Sequence, residues 1–281
     1  MAAHPRPPEQ KHIREDVRLA LLEDIGSGDC TAGLIPAESR LQMRVVVREP
    51  AVISGRPWFE ETFIQLDEDI ALRWSAEDGE QVVEDQEIVR LEGPARALLS
   101  GERTALNFLQ TLSGTATRTR RYVDAVKGAG AKILDTRKTL PGLRLAQKYA
   151  VLCGGGCNHR IGLFDAILIK ENHISAAGSI SYAVEQAKRN HAGLLLEVEV
   201  ETLGQLEEAC RAGADRVLLD NFPLSDLRSA VAGYKGKIEL EASGGIELDT
   251  IGEIAASGVD FISVGDITKS VDAIDFSMRF V

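Results

Sequence analysis

The sequence predicts an α/β protein in which a small N-terminal α+β unit precedes a larger parallel sheet built from βα repeats. From Lys132 onward, short apolar runs alternate with helical segments, a pattern typical of parallel strands joined by helices. Each run ends in a polar residue or glycine, and these ends follow one another at intervals of roughly 20 to 30 residues, enough for one strand and one helix. The run ends are Lys170, Glu199, Asp220, Ser243 and Gly265.

The composition limits the classes of function. The chain has 281 residues, a formal net charge of −11 at pH 7 and 44% hydrophobic residues. The negative charge argues against non-specific binding to nucleic acid or to anionic membranes. A chain of this length can bury one large core or two modest ones, so we expect two domains.

The first hundred residues mix helical and strand-like patterns. We predict a helix from His12 to Leu22, a turn at GSGDCT, and strand-like runs at 41–55 and 80–93. From Ala97 to Thr119 apolar residues recur at helical spacing, and Gly114 is the expected interruption before the chain enters the second domain. These patterns predict a compact α+β unit.

The N-terminal twelve residues lack the apolar region of a secretory leader, and we find no run long enough for a membrane span. Four cysteines in a chain of this length do not make a disulfide framework and fit a reducing compartment. We therefore expect a soluble, cytoplasmic protein that binds neither nucleic acid nor membrane.

The repeat region can form a closed or nearly closed βα barrel, or an open doubly wound sheet. In both folds ligands bind beyond the carboxyl ends of the strands. No GxGxxG follows the first strand, which favours the barrel. The polar run ends should then converge on one mouth.

Carboxylates alternate along two of the predicted strands. LLLEVEVE places Glu197, Glu199 and Glu201 on one face, and KIELEAS aligns Lys237, Glu239, Glu241 and Ser243. Buried carboxylates need cationic partners, so an internal lattice of ion pairs with Lys237, Lys170 or arginines is as plausible as a functional role for Glu197 and Glu239. Glu199 and Asp220, nearest the mouth, are predicted to bind a divalent ion or ribose hydroxyls.

Basic residues concentrate between Asp135 and Asn172, which indicates a site for a polyanion. They are Arg137, Lys138, Arg144, Lys148, His159, Arg160 and Lys170. Two glycine turns, ASGGIE and SVGD, each follow a strand and precede a helix, so their amides can hold a phosphate.

Three features in or next to this segment have competing interpretations. CGGGC with His159 resembles a metal cluster, but no second cysteine pair accompanies it, so we do not predict zinc. His173 is expected to cap a helix rather than to touch ligand. Lys170 at the end of a strand stands where a Schiff-base lysine would stand in a barrel aldolase.

Several motifs, in order, resemble the quinolinate phosphoribosyltransferase family from about Leu21 to the C-terminus. They are GERTALNFLQTLSGTAT, DTRKTLPGLR, CGGGCNHRIGLFDAILIKENHI, EVEVET, LLDNF, EASGGI and SVGDIT. The resemblance implies transfer of phosphoribosyl from phosphoribosyl pyrophosphate to quinolinate with decarboxylation, giving nicotinate mononucleotide, pyrophosphate and carbon dioxide in de novo NAD biosynthesis, with Mg²⁺ as cofactor.

The resemblance also implies an architecture. It gives an N-terminal α/β sandwich at residues 1–112, an incomplete α/β barrel of six to seven parallel strands at 113–270, and a C-terminal segment, 271–281, that returns to the first domain. A homodimer or higher homo-oligomer is implied, in which Arg103 reaches the partner subunit's site.

The family's site residues carry over by position. Arg137, His159 and Arg160 resemble the residues that hold quinolinate's carboxylates, with Arg103 from the partner. Lys138 and Lys170 resemble the lysines at the pyrophosphate and reacting centre, and Glu199 and Asp220 those that bind ribose hydroxyls and metal. The segments around the donor's phosphate and ribose add Thr136, Ser243, Gly244, Gly245, Val264, Gly265 and Asp266.

Three alternatives remain open at this point. A related enzyme could use another carboxylate, such as nicotinate, without decarboxylation. A lyase could act through a Schiff base on Lys170. A barrel that binds a phosphorylated metabolite without turnover is the third.

Overall fold

The computed structural model of the protein describes residues 5–281. Contacts divide the chain into two compact units. The first contains the described residues up to 120, Thr139–Gly155 and Ile267–Val281, and the second contains Arg121–Lys138 and Gly156–Asp266. Both units are therefore discontinuous in sequence. The prediction about a leader concerns residues 1–12, of which 1–4 lie outside the described residues.

The elements are numbered along the described chain, which also has a short 3-10 helix at Ala32–Leu34. The helices are α1 (Gln10–Ile25), α2 (Arg56–Leu66), α3 (Ala95–Ala125), α4 (Arg144–Cys153), α5 (Glu171–Ala177), α6 (Ile180–Asn190), α7 (Leu203–Ala212), α8 (Leu224–Tyr234), α9 (Ile251–Ala256) and α10 (Asp266–Lys269). The strands are β1 (Arg40–Val47), β2 (Ala51–Val52), β3 (Ala71–Trp74), β4 (Gln81–Val82), β5 (Glu87–Pro94), β6 (Lys132–Leu134), β7 (Ile167–Ile169), β8 (Leu196–Val200), β9 (Arg216–Asp220), β10 (Glu239–Ser243), β11 (Phe261–Ser263) and β12 (Phe276–Phe280).

The first unit is built on an antiparallel sheet with the strand order β12-β1-β5-β3. Val45 of β1 pairs with Val89 of β5 and with Met278 of β12, so the last strand of the chain joins the sheet of the first segment. Met43 and Val45 are buried because alternate β1 side chains enter the core. The two strand-like runs predicted in this region contain β1, β2, β4 and β5, and both predictions are confirmed.

Helix α3 crosses position 114 without a break, so the predicted interruption at Gly114 is wrong. A Cβ at this position would lie 2.1 Å from the carbonyl oxygen of Asp272. The glycine therefore makes room for the C-terminal segment, and its cost in a helix interior is only about 1 kcal/mol. The buried residues Leu98, Leu106 and Leu109 anchor the helix in the core. Tertiary contact, rather than helix termination, accounts for the glycine.

Helix α3 is also the longest helix of the described chain, with 31 residues. Charged side chains such as Glu102 and Arg118 recur along it. Within residues 5–281 no helix combines the length and the apolar character that crossing a membrane requires.

The second unit contains a six-stranded parallel sheet with the order β6-β11-β10-β9-β8-β7. Each apolar run predicted after Lys132 contains one of these strands, which confirms the βα repeat. Two of the connecting helices, α6 and α7, begin at hydroxyl caps. Ser179 accepts a hydrogen bond from the Tyr182 backbone N–H at 3.1 Å, and Thr202 accepts one from that of Gln205 at 3.2 Å. Such caps satisfy backbone donors that helix ends leave free.

One face of this sheet carries charge along its whole length. Arg216 and Asp220 stand two pleats apart on β9, so they share that face. The register sets Arg216 opposite both Glu197 and Glu239, and Asp220 opposite Ser243. The sheet therefore has a charged layer at the amino end of β9 and another at its carboxyl end.

The charged faces are shorter than the sequence predicts. Glu201 follows the end of β8 and Lys237 precedes β10, because turns begin there. The Lys237 ammonium donates to the Gly233 carbonyl oxygen at 2.8 Å. Of the two interpretations left open for Glu239, the structure shows the ion pair. Its partner is Arg216, with Nη2 and Oε2 2.8 Å apart.

Candidate active site

A cavity of about 440 Å³ lies in the second unit at the carboxyl ends of its parallel strands. Parallel strands bring their carboxyl ends to one edge of a sheet, so residues distant in sequence meet there. The lining residues are Thr136, Arg137, Lys138, His159, Arg160, Leu168, Lys170, Glu199, Leu218, Asp220, Glu241, Ser243 and Ser263.

Four cationic side chains line this cavity: Arg137, Lys138, Arg160 and Lys170. Burial, and then the nearby charge of Arg137, lower the pKa of Arg160. Guanidinium groups pair bidentately with carboxylates and phosphates. The mutual repulsion of these cations is relieved by a ligand with more than one negative charge.

Carboxylates stand among the cations. The Lys170 ammonium forms an ion pair with the Glu199 carboxylate, which joins the ends of β7 and β8. The Lys170 backbone N–H donates to Nδ1 of His173 at 3.0 Å. His173 therefore caps α5, and the predicted capping role is confirmed.

A tight turn orders the carboxylate of Asp220. Asn221 donates from Nδ2 to Asp220 Oδ2 at 2.8 Å, and its backbone N–H donates to the Ser243 carbonyl oxygen at 2.9 Å. Gly244 has φ +96°, and a Cβ there would lie 2.2 Å from Asn221 Oδ1. Only glycine satisfies both the left-handed conformation and the close approach.

His159 is held by protein groups on three sides. Its backbone N–H donates to Asp135 Oδ1 at 2.8 Å. Ring atom Nδ1 accepts from the Arg160 backbone N–H at 2.7 Å, and Nε2 lies 2.8 Å from Glu197 Oε2. The side chain is 8% exposed.

Two carboxylates are buried beneath His159. Glu197 and Glu241 come from β8 and β10, and their side chains are 1% and 0% exposed. Burial, followed by repulsion from Glu197, raises the pKa of Glu241 to about 8. Burial likewise raises the pKa of Glu197. Arg216 Nη1 lies 3.5 Å from Glu241 Oε2 and compensates part of this charge.

Within residues 5–281, the potential ligand atoms of three residues lie close enough to one another to bind one metal ion. These residues are His159, Glu197 and Glu241. The hydrogen bonding of His159 argues against that role. A backbone N–H can only donate, so Nδ1 is unprotonated and the proton of the neutral ring is on Nε2. Nε2 therefore donates to Glu197 and offers no lone pair to a metal.

The CGGGC motif does not gather its members in one unit. Cys153 ends α4 in the first unit, and Cys157 belongs to the second. Burial raises the pKa of the Cys153 thiol to about 12, whereas metal ligation requires thiolate.

Some predicted site residues lie outside the cavity lining. Gly244 and Gly245 form the turn after β10, and Gly265 lies against the Lys138 side chain. Val264 is buried, and Asp266 accepts a 3.2 Å hydrogen bond from the Tyr122 hydroxyl.

Three of the predicted basic residues belong to the first unit. Arg103 is exposed on α3, and Arg144 and Lys148 lie on α4. The basic residues between Asp135 and Asn172 are therefore divided between the two units.

Four lining residues were not proposed for the site from sequence: Glu241, Ser263, Leu168 and Leu218. Strand alternation offers a signal for three of them. Leu168 and Lys170 are two residues apart, as are Leu218 and Asp220, and Glu241 and Ser243. A residue two positions before the end of a strand points to the same face of the sheet as the end residue. How deeply its side chain is buried does not follow from the sequence.

Fold and site together define an α/β protein with a cavity lined by cationic side chains at the carboxyl ends of a parallel sheet, an arrangement suited to an anionic ligand. The chain belongs to the quinolinate phosphoribosyltransferase family. The family's N-terminal domain matches residues 29–113, and its C-terminal domain matches residues 115–279. The resemblance seen in the motifs is thereby confirmed.

Individual relatives agree with this assignment. The chain is 44% identical to a probable nicotinate-nucleotide pyrophosphorylase [carboxylating] of Bacillus subtilis, covering 92% of this chain and 89% of that protein. It is 40% identical to the corresponding Mycobacterium leprae protein, over 94% and 96% of the two chains.

The structure of a nicotinate-nucleotide pyrophosphorylase from Francisella tularensis matches this fold with a TM-score of 0.95. The two chains are 45% identical, and the match covers 100% of each. The predicted fold class, an α/β protein with an N-terminal α/β domain and a second domain of six to seven parallel strands, is confirmed. The first unit has an antiparallel sheet and the second has six parallel strands.

Proposed function

We propose that the cavity at the strand ends catalyses the family's reaction: quinolinate and phosphoribosyl pyrophosphate give nicotinate mononucleotide, pyrophosphate and carbon dioxide. One observation carries this proposal. Arg137 and Arg160 face the same 440 Å³ cavity as Lys138 and Lys170, with Glu199 and Asp220 among them. Both reactants are polyanions, and one of them carries a sugar.

Quinolinate is assigned to the arginines. Its two carboxylates suit two guanidinium forks. Burial and then the charge of Arg137 lower the pKa of Arg160, and a dianion would neutralise the repulsion between the two arginines. Arg103 is exposed on α3, and we assign it to the partner subunit's site. His159 stands beside Arg160 in the lining.

The phosphoribosyl donor is assigned to the other side of the cavity. Glu199 and Asp220 accept hydrogen bonds from the ribose hydroxyls, and Lys138 and Lys170 contact the pyrophosphate. Thr136, whose Oγ1 accepts from the Lys138 backbone N–H at 3.0 Å, orders that lysine. The turns at Ser243–Gly245 and Val264–Asp266 surround the 5-phosphate with backbone amides.

Mg²⁺ fits the same residues. It is bound in proteins by one or two carboxylates together with substrate phosphates, and Glu199 and Asp220 are carboxylates of the lining on the paired strands β8 and β9. Asp220 is already oriented by Asn221. When bound, the ion would neutralise charge on the departing pyrophosphate.

The chemistry needs positioning and charge rather than a covalent enzyme intermediate. As pyrophosphate leaves, the anomeric carbon gains oxocarbenium character, and the pyridine nitrogen of quinolinate forms the new bond to it. The alkylated nitrogen is cationic and stabilises the carbanion that is left on the adjacent ring carbon when its carboxylate departs as carbon dioxide. A proton from solvent then takes the place of that carboxylate. Lys138 and Lys170 stabilise the pyrophosphate in the first step.

Substrate choice provides the test. We expect carbon dioxide and pyrophosphate in equal amounts with quinolinate, and neither product with nicotinate. Pyrophosphate release with nicotinate would instead indicate the related enzyme without decarboxylation. Lys170 is paired with Glu199, whereas a Schiff base needs a neutral amine, so borohydride should trap no adduct.

We also propose a homodimer or larger homo-oligomer with shared sites. Mixing Arg103→Ala subunits with Lys138→Ala subunits should restore part of the activity. In a mixed dimer, one of the two sites then contains both Arg103 and Lys138. No recovery after verified subunit exchange would show that each chain has a self-contained site.

Finally, we propose a cytoplasmic location. Cys30, Cys153, Cys157 and Cys210 are all free thiols, which suits a reducing compartment. Cell fractionation that follows the carbon dioxide release activity should find it with cytoplasmic markers.

A further inference from the structure

We infer that His159, supported by Glu197, Glu241 and Arg216, is a positioning residue that fixes the backbone of Arg160 and thereby orients its guanidinium. This inference rests on the proposed function, because it assumes that Arg160 binds a quinolinate carboxylate. It changes the role of His159, which the family resemblance places in direct contact with substrate.

Both ring nitrogens of His159 already have protein partners. Nδ1 accepts from the Arg160 backbone N–H, and Nε2 donates to Glu197, at 2.7 and 2.8 Å. In this neutral tautomer a substrate carboxylate finds no N–H on the ring, since the single ring proton is committed to Glu197. The ring therefore acts on Arg160 rather than on the ligand.

A second buried carboxyl group, that of Glu241, lies close to the same ring nitrogen. Glu241 Oε2 lies 3.6 Å from His159 Nε2, and Arg216 Nη1 lies 3.5 Å from the same oxygen. Arg216 in turn is held by Glu239 at 2.8 Å and stacks 4.0 Å above the Phe261 ring. These contacts run from Arg216 through Glu241 to His159, so the ring has little freedom to turn.

The loop that carries Arg160 is fastened at its far end as well. Asp165 accepts hydrogen bonds from the backbone N–H groups of Ile161 and Gly162 at 2.8 and 2.9 Å. His159 on one side and Asp165 on the other leave the Arg160 peptide in one orientation. A guanidinium fork gains from such preorganisation because bidentate pairing demands defined geometry.

A double-mutant cycle tests the inference. Gln at position 159 can still reach Glu197 with its amide nitrogen, but it offers no acceptor at the Nδ1 position. We expect His159→Gln to raise the quinolinate Kd about tenfold, as the loss of one buried hydrogen bond would, with the phosphoribosyl pyrophosphate Kd unchanged within about twofold. In an Arg160→Ala background the same change should add less than about twofold. Titration calorimetry with each substrate alone measures both constants.

The cycle distinguishes a failure of the inference about His159 from a failure of the assignment of Arg160 to quinolinate. A raised Kd in Arg160→Ala with an equal further increase on adding His159→Gln would mean that His159 contacts the substrate, which overturns the inference only. A wild-type Kd in Arg160→Ala would overturn the assignment of Arg160 and the inference with it. Equal losses of affinity for both substrates in His159→Gln would indicate general structural damage and would also reject the inference.

The carboxylate below the ring supplies a matched set of variants. Glu197→Gln keeps an acceptor for Nε2 and should bind quinolinate within about twofold of wild type, whereas Glu197→Leu should reproduce the effect of His159→Gln. Glu239→Gln is the control, since Glu239 contacts Arg216 but not His159, and its quinolinate Kd should not change. A tight-binding Glu197→Leu protein would contradict the inference.

The tautomer can be observed directly. In protein labelled with ¹⁵N-histidine, the His159 signals, identified by their loss in His159→Gln, should show an unprotonated Nδ1 and a protonated Nε2 near neutral pH. A protonated Nδ1 would be incompatible with acceptance from Arg160 and would overturn the inference independently of any binding measurement.

Discussion

The amino and carboxyl ends of the parallel strands both carry paired basic and acidic side chains, but the surroundings of these pairs differ. At the amino end of β9, Arg216 is 11% exposed and pairs with Glu239, with Glu241 above it. At the carboxyl ends, Lys170 is 46% exposed and pairs with Glu199. In the lower layer Arg216 and Glu241 are largely buried and face each other, although Glu239 is 49% exposed. In the upper layer Lys170 and Glu199 face a cavity.

This contrast separates charges that hold the fold from charges that can bind a ligand. A buried ion pair gains little over apolar packing, but removal of one member leaves an uncompensated charge. A charged side chain at a cavity can exchange its protein partner for a charged ligand with little loss of free energy. The lower layer should therefore respond to substitution through stability, and the upper layer through turnover or affinity.

Arg216→Met, in the lower layer, should cause the largest loss of stability. It leaves the carboxylates of Glu197 and Glu241 without their cation, and we expect a loss of about 3–5 kcal/mol in the free energy of unfolding. Urea denaturation measures it. The double variant with Glu241→Gln should recover part of the loss. If Arg216→Met is as stable as wild type, the lower layer does not hold the fold.

Lys138→Ala should leave stability nearly unchanged and reduce kcat by about 10²–10³-fold, as expected for loss of a group that stabilises transition-state charge. Lys138 is an exposed residue of the cavity lining. The quinolinate Kd should change by less than about threefold, because the arginines are intact. Steady-state kinetics with calorimetry separates the two constants, and equal losses in both would contradict the assigned division of roles.

Glu241→Gln should change how stability depends on pH. Burial and Glu197 raise the pKa of Glu241 from its ordinary value of 4.5 to about 8, so the folded chain retains a proton that the unfolded chain releases. This contribution is fully present below pH 4.5 and is lost as the pH rises through 8. The variant should therefore gain stability relative to wild type across that interval. Urea denaturation at several pH values would show a constant difference if the raised pKa is wrong.

Arg211→Ala should have the smallest effect. Its ion pair with Glu207 lies on the surface of α7, with the two side chains 72% and 52% exposed. Solvent screens such pairs, so the free energy of unfolding should change by less than about 0.5 kcal/mol. Thermal and urea denaturation provide the measurement, and a larger loss would show that exposure does not distinguish the two kinds of ion pair in this chain.

Much of the site could be predicted because strand ends are visible in the sequence. Lys170, Glu199, Asp220 and Ser243 each close an apolar run, and the parallel sheet brings all four to one cavity. The family motifs then name the reaction, which no spacing of residues could have done. The position of each residue at an element end was enough to predict the meeting place.

Other residues could not be placed this way because their surroundings are set by distant segments. Arg144 and Lys148 lie within the basic segment, yet α4 belongs to the first unit. Gly114 looks like a helix breaker until the backbone of Asp272 is seen beside it. A local pattern cannot report contact with a residue more than a hundred positions away.

The amino-acid sequence by itself determined the βα repeat, the family and the residues at the strand ends, because periodicity and motifs are local properties of the chain. Tertiary structure alone decided which acidic side chain pairs with each basic one. It also decided that both ring nitrogens of His159 have protein partners, and how deeply Glu197 and Glu241 are buried. Burial depth and partner choice depend on strand order and register, and these arise only when segments far apart in the chain pack together.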